Sequence, residues 1–303
     1  QCMVDAAIKL TGALTYRGLC TVEFMLDEDT GDFVFMEANP RIQVEHTVTE
    51  AVTGIDLAQT QIRLAAGASL EELGLTQDQI PAAQGYAVQL RINLESMGSD
   101  GSAKPAGGTL SAYEPPSGPG VRVDGYGYSG YTTSPSFDSL LAKLIVHANA
   151  DYTAVLRRAY RALCEFRLEG VSSNLHFLQN LLAHPQVQNN QVTTGFIESH
   201  AEELIAARAG ESKQAHPHLY FQHAGNALSA PVAAVDAPAG TEPLNAPVQG
   251  VLISLDVQPG DSIAAGQQVA VMEAMKMEFV VKAERSGIVR VLACAPGDNL
   301  FEG

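Results

Sequence analysis

The chain has 303 residues and a formal net charge of −16. The length suits two domains and a linker, and so acidic a balance argues against nucleic acid or an anionic membrane as partner, since either needs a basic patch. The four cysteines (Cys2, Cys20, Cys164, Cys294) form no C-x-x-C pair, which points to a reducing, cytoplasmic compartment and away from a zinc site; no apolar run is long enough to span a membrane, and no signal peptide is visible.

Gln1 stands inside a helical pattern, with Ala6, Ala7, Leu10 and Leu14 on or near one side. Residues 21–26 and 33–37 read as strands joined by the turn Asp29-Thr-Gly-Asp32. Residues 55–66 read as a helix stopped by Gly67. Residues 86–93 and 140–147 read as buried strands. Residues 153–168 carry Leu156, Ala159, Tyr160, Leu163 and Phe166 on a helical stripe. A second helix over 173–184 is capped by Ser172 or Ser173 and halted before Pro185. Gly125-Tyr-Gly-Tyr-Ser-Gly130 matches G-x-G-x-x-G but runs into Pro135 instead of opening a helix, so it reads as a loop between strands.

From Met36 to Glu45 the residues alternate strictly. Met36, Ala38, Pro40, Ile42 and Val44 are apolar or small, and Glu37, Asn39, Arg41, Gln43 and Glu45 are polar. In an extended chain one set can pack on a core while the other presents acid, amide, cation, amide and acid; an ordinary edge strand with a solvated face shows the same pattern. His46 then falls on the opposite face, as a packed or hydrogen-bonded histidine. A hairpin centred on Thr30 pairs positions totalling 60, which sets Glu23 opposite Glu37. Like charges across a ladder repel by some tenths of a kcal/mol, about 0.2–1. They are tolerated if one carboxyl stays protonated or a cation lies between them. A hard divalent cation with oxygen ligands fits, and Asn39 adds another oxygen.

The same residues carry a resemblance. Phe35-Met-Glu-Ala-Asn-Pro-Arg-Ile-Gln-Val-Glu-His46 with Val22-Glu-Phe24 resembles the core of the ATP-grasp fold in biotin carboxylases. Leu90-Arg-Ile-Asn93 and Ser136-Phe-Asp-Ser-Leu-Leu-Ala-Lys143 fit that family in the same order, and the similarity runs over about residues 1–200. The resemblance implies that Glu23 and Glu37, assisted by Asn39, bind Mg²⁺ or Mn²⁺ bridging the phosphates of ATP. It implies that Arg41 holds bicarbonate with Gln43 and the Val44 backbone, and that Glu45 is the general base. It makes Arg91 the cation that stabilises negative charge on the biotin ureido oxygen. These residue types suit the chemistry. Bicarbonate is a poor nucleophile until a carboxylate takes its proton, a guanidinium grips a planar oxyanion bidentately, and phosphoryl transfer needs charge neutralisation more than covalent help. The implied product is carboxyphosphate, which yields CO₂ for capture by biotin. Asp138 and Lys143 receive no catalytic role; a buried ion pair or a contact between domains serves as well.

Residues 206–243 lose periodicity and become rich in Ala, Pro and His, with an extended tether over 230–243. His216, His218 and His223 read as solvated linker. Beyond it the chain repeats itself at a spacing of 37: Ala246/Ala283, Gly250/Gly287, Leu255/Leu292, Pro259/Pro296, Gly260/Gly297, Asp261/Asp298 and Gly266/Gly303 match without a gap. Each copy reads as a Gly turn, an alternating strand and a Pro-Gly-Asp turn, which suggests a small flattened all-β barrel with internal two-fold symmetry. Glu273-Ala-Met-Lys-Met277 lies at the crossover, on a tight hairpin. That motif in such a barrel resembles the attachment site of biotin carboxyl carrier domains and implies biotin in amide linkage on Lys276. A lipoyl domain shares the architecture but usually flanks its lysine with Asp and Ala.

The expected fold is thus an α+β part of ATP-grasp type over 1–205, a linker over 206–243, and a biotinyl/lipoyl-type barrel over 244–303. The counterpart of the strand that follows Gly266 is missing after Gly303, and the family's glycine-rich phosphate loop lies upstream of Gln1. The expectation is therefore a chain truncated at both ends, inactive when isolated. The implied parent is an ATP-dependent ligase working with bicarbonate, a carboxyltransferase domain or subunit and a biotin protein ligase, assembled as a homo-oligomer. An acyl-CoA such as acetyl-CoA or propionyl-CoA is the first choice of acceptor, with pyruvate and urea open. The alternative is a carrier module whose ATP-grasp portion binds a partner without catalysing.

Overall fold

The computed structural model describes residues 2–98, 102–134, 137–206, 237–274 and 277–303, which fall into two compact units. The first comprises residues 1–89 and 145–155, the second 90–144 and 156–303. Among the described residues no helix is long and apolar enough to cross a membrane.

In the first unit, helix α1 (Cys2–Ala13) precedes an antiparallel hairpin of β1 (Thr21–Leu26) and β2 (Phe33–Asn39). Gly31 turns the chain at φ +74°, and the Asp27 carboxylate accepts the Asp29 and Thr30 amides at 2.9 and 3.0 Å. Those donors, Thr30 foremost, hold the Asp27 carboxyl below the usual carboxylate range. Helix α2 (His46–Thr53) leads to α3 (Leu57–Ala65), which Asp56 caps by accepting the Gln59 amide at 2.7 Å. Gly54 ends α2 in the left-handed region.

The second unit takes up β3 (Tyr86–Asn93) from Leu90 and continues through β4 (Glu95–Met97), β5 (Ala103–Pro105), β6 (Ala112–Glu114), β7 (Val121–Gly125) and β8 (Leu140–Ala148), whose residues from Ile145 on belong to the first unit. A three-stranded sheet runs β3-β8-β7. Of the two strands read as buried, β8 is so almost throughout, while β3 keeps Tyr86 and Arg91 exposed. The G-x-G-x-x-G segment is the loop leaving β7, and no helix follows it. Leu94, Leu110 and Leu141 form one core cluster with Tyr113, Tyr131 and Leu168 packed against it. Helix α4 (Tyr152–Glu165) buries Leu156, Ala159 and Leu163. It stops short of the expected end because residues Arg167–Glu169 leave it as β9 and pair with β6. Arg167 there bonds Glu114 at 2.7 Å and Glu169 at 2.9 Å, a tertiary pull that overrides a helical stripe. Helix α5 (Leu175–Ala183) has Asn174 at its N-cap, not Ser172 or Ser173. It ends before Pro185, which opens the short α6 (Pro185–Gln188); α7 (Phe196–Ser199) and α8 (Ala201–Ile205) follow.

After residues 207–236, which lie outside the described residues and hold most of the expected linker with His216, His218 and His223, the second unit ends in an all-β portion. Its strands are β10 (Gly250–Leu255), β11 (Ser262–Ile263), β12 (Gln268–Ala274), β13 (Met277–Lys282), β14 (Gly287–Ile288) and β15 (Asn299–Leu300). They form a four-stranded sheet ordered β13-β12-β10-β15 and a two-stranded sheet β11-β14. These sheets are not closed into one barrel, and in the second copy of the repeat β14 has two residues where its mate β10 has six. The two-fold relation survives in the hydrogen bonds. Gly260 donates to Val289 O at 2.8 Å, and its mate Gly297 donates to Leu252 O at 2.7 Å. Gly266 donates to Ala283 O at 2.7 Å, and Gly303 to Ala246 O at 2.9 Å. The Asp261 and Asp298 carboxylates close the two Pro-Gly-Asp turns on the amides of Gln258 and Ala295 at 2.7 and 2.8 Å. Each bond maps onto its partner by the same shift of 37.

Candidate active site

The hairpin sets Glu23 directly opposite Glu37, with Val22 opposite Ala38 and Thr21 opposite Asn39. Past Glu23 the register slips by one, so that Phe24 faces Phe35 and Met36 is the extra residue. Such a bulge sharpens the local twist and re-aims side chains. The Asn39 amide nitrogen donates to both carboxylates, at 3.2 Å to Glu23 Oε1 and 2.8 Å to Glu37 Oε1. A donor therefore occupies the place where two like charges need positive character. The donor set is all oxygen once the Asn39 amide is turned, which suits a hard divalent cation. It consists of two carboxylates and an amide; among the described residues no group of three or more His, Cys, Asp or Glu forms a metal cluster.

The alternating run does not stay extended. β2 ends at Asn39, Pro40 cannot donate to a ladder, and residues 40–45 form a loop ending at Glu45, the N-cap of α2 with φ −78° and ψ −2°. Met36, expected to pack on a core, is 51% exposed. Arg41, Gln43, Val44 and Glu45 are thus loop residues at the root of the hairpin, not one face of a strand. Arg41 is exposed and donates to Ile42 O at 3.3 Å. Gln43 Oε1 is buried and accepts no hydrogen bond among the described residues. An orphaned buried acceptor costs about 1–3 kcal/mol, and a ligand hydroxyl would satisfy it. The Glu45 side chain caps no α2 amide. His46 is hydrogen-bonded, as expected, but through Nδ1 to Gln43 O at 2.5 Å within the helix start. Buried Thr47 bonds Gln89 and ties that first turn to β3.

A cavity of about 390 Å³ lies beside Arg41, lined also by Tyr16, Arg17, Pro40 and Gln61. Arg17 brings a second guanidinium to it. Nothing in the sequence marks Arg17, because it lies 24 positions from Arg41 with no shared pattern.

Arg91 belongs to the second unit, exposed on β3. Asn174 holds its backbone: the side-chain amide donates to Arg91 O at 3.0 Å and its oxygen accepts the Asn93 amide at 2.9 Å. Asn174→Ala removes both bonds at a site 8% exposed. It is expected to lower stability by about 1–3 kcal/mol, read as an earlier urea midpoint at unchanged slope; an unmoved midpoint would contradict the clamp. Lys143 pairs with Asp124 at 3.5 Å. Burial pushes the Asp124 carboxyl up, but Arg122 and Lys143 together hold it below its usual value. Asp138 accepts the Leu140 amide at 2.8 Å.

In the all-β portion, Ala274 of β12 pairs with Met277 of β13. Met275 and Lys276 are therefore the two-residue connection of that hairpin; both lie outside the described residues, as does Ser136.

Three family descriptions match the chain: "Carbamoyl-phosphate synthase L chain, ATP binding domain" over residues 1–73, "Biotin carboxylase C-terminal domain" over 89–199, and "Biotin-requiring enzyme" over 242–303. The chain is 41% identical over 220 residues to a pyruvate carboxylase of Aspergillus terreus (strain NIH 2624 / FGSC A1156), with 72% of the chain and 18% of that protein covered. It is 34% identical over 337 aligned positions to the biotin-dependent acyl-coenzyme A carboxylase alpha3 subunit of Mycobacterium leprae (strain TN), with 99% of the chain and 55% of that subunit covered. A solved single-chain, multi-domain long-chain acyl-CoA carboxylase superposes with a TM-score of 0.62 at 39% identity, over 98% of this chain and 29% of the other. The chain thus spans about half or less of the length of these relatives.

Proposed function

We propose that this chain, which belongs to the biotin-dependent carboxylases, takes part in the ATP-dependent carboxylation of biotin with bicarbonate and carries the biotin on its own Lys276. The observation that carries this reading is the opposed Glu23–Glu37 pair bridged by Asn39, at the root of the loop bearing Arg41, Gln43 and Glu45. Glu23, Glu37 and Asn39 would hold Mg²⁺ or Mn²⁺, which when bound supplies charge neutralisation to the ATP phosphates. Arg41 orients the bicarbonate anion, with Gln43 and the Val44 backbone alongside. Glu45 takes the bicarbonate proton, which makes the oxygen nucleophilic. Arg91 stabilises negative charge on the ureido oxygen, and biotin supplies a nitrogen that accepts the carboxyl group.

The first test is the mass of the Lys276 peptide from the full-length protein expressed with an active biotin ligase. A biotin adduct on Lys276 supports the reading; an unmodified lysine, with the ligase active on a control, overturns it. Arg91→Ala is expected to slow biotin carboxylation while sparing the slow bicarbonate-dependent cleavage of ATP. Equal loss of both would give Arg91 another role.

An acyl-CoA, acetyl-CoA or propionyl-CoA first, is the acceptor we favour, delivered by a carboxyltransferase domain or subunit. The acyl-CoA carboxylase subunit matches along 99% of the chain, whereas the pyruvate carboxylase matches along 72%. Transfer of labelled bicarbonate to pyruvate or urea in place of acyl-CoA would overturn this choice.

A further inference from the structure

Among the described residues, the all-β portion meets the carboxylase part of the same unit at Gln249. Gln249, one residue before β10, is 3% exposed. The Thr133 hydroxyl shares its hydrogen between Gln249 Oε1 at 3.4 Å and Gly108 O at 3.3 Å, and accepts the Gly108 amide at 3.0 Å. A Cβ added at Gly107 would lie 1.5 Å from Gln249 Oε1 and 2.1 Å from Cδ. Gly107 is not in the left-handed region, so its backbone does not demand glycine. The missing side chain instead leaves the room that Gln249 occupies.

The position of Gln249 in the carrier matters as much. A Cβ on the next residue, Gly250, would lie 2.4 Å from Glu273 O and 3.3 Å from the Ala274 Cβ. Gln249 therefore stands at the hairpin end of the sheet, beside the strand that runs into Met275 and Lys276. On the carboxylase side a small cavity of about 20 Å³ adjoins it, lined by Tyr126, Phe137, Asp138 and Ser139.

We propose that Gln249 is the seat by which the carrier docks on the carboxylase part of its own chain, in a notch kept open by Gly107 and closed by Thr133. The seat fixes the approach of the hairpin end and makes the chain's own carrier the preferred substrate. Gln249 is thus a positioning residue, and its kinetic role rests on the carboxylase reading above. A buried amide in a fitted notch can act as a docking anchor at little area, because the tether already supplies a high effective concentration.

The test uses the full-length, biotin-loaded protein. A Gly107→Cys/Gln249→Cys pair, oxidised with glutathione disulfide, is expected to form a cross-link within one chain, mapped by peptide mass against the four native cysteines. No cross-link, or one between chains, overturns the proposal, and this readout needs no carboxylase activity. Gln249→Ala and Gly107→Val are each expected to slow carboxylation of the chain's own carrier about tenfold, the effect of a lost contact of ordinary strength, with the rate on free biotin unchanged. An unchanged own-carrier rate, or an equal loss on free biotin, overturns it. Absence of any carboxylation in the unaltered protein would sink the carboxylase reading and leave the cross-link to decide the seat.

Discussion

Replacing Glu45 by glutamine is expected to lower bicarbonate-dependent ATP cleavage in the full-length protein by about 10²–10⁴-fold, the range supplied by one positioned general base, with ATP affinity nearly unchanged. Glutamine keeps the length and shape of the side chain and removes only its ability to take a proton. Glu45 stands at the N-cap of α2 but caps none of its amides, so the exchange costs the helix no capping bond. The split between turnover and binding is the diagnostic. Single-turnover cleavage with and without bicarbonate measures the first, and calorimetry with a non-hydrolysable nucleotide the second. Normal turnover in the variant would remove Glu45 as the base. A parallel loss of ATP binding would show that the residue shapes the site instead.

Most of the hairpin that supports this site was legible in the sequence, for reasons that also mark where legibility stopped. β1 matches the expected strand, and Glu23 faces Glu37, because alternation plus a Gly/Asp turn fixes both phase and register. The bulge after Glu23 left no sign: Met36 is an ordinary strand residue, and the slip shows only in the pairing. The alternation from Met36 to Glu45 was a true pattern of residues but a false guide to backbone beyond Asn39. Pro40 ended the ladder, and the polar members after it reached the site from a loop. Helix α2 passed unread behind that pattern. Asn174 was invisible for a different reason. Its value lies in two long-range bonds to β3, and no local signal reports a partner more than eighty positions away. The carrier repeat was the most legible part, since matched residues 37 apart make matched hydrogen bonds. Even there, length was not: β14 has two residues where its mate β10 has six.

Lys276→Arg is expected to abolish biotin loading and, with it, carboxylation of the chain's own carrier, while the rate on free biotin stays at its unaltered level. The charge is retained, but a guanidinium stays protonated at any accessible pH and cannot form the amide that an unprotonated lysine amine forms. The fold should not notice the exchange. Lys276 lies in a two-residue connection between Ala274 and Met277, and the core beneath that hairpin is built from Leu252, Ala270, Met272 and Val281. Intact-mass measurement after expression with the ligase reads the loading directly, and thermal unfolding of the variant checks the fold. A biotin adduct on the arginine variant would place the attachment at one of the five other lysines, Lys9, Lys104, Lys143, Lys213 or Lys282. Lys143 is held by Asp124 and Lys282 pairs with Gln268 across the sheet. Loss of loading together with loss of the free-biotin rate would mean that the hairpin serves the carboxylase site itself as well as the cofactor.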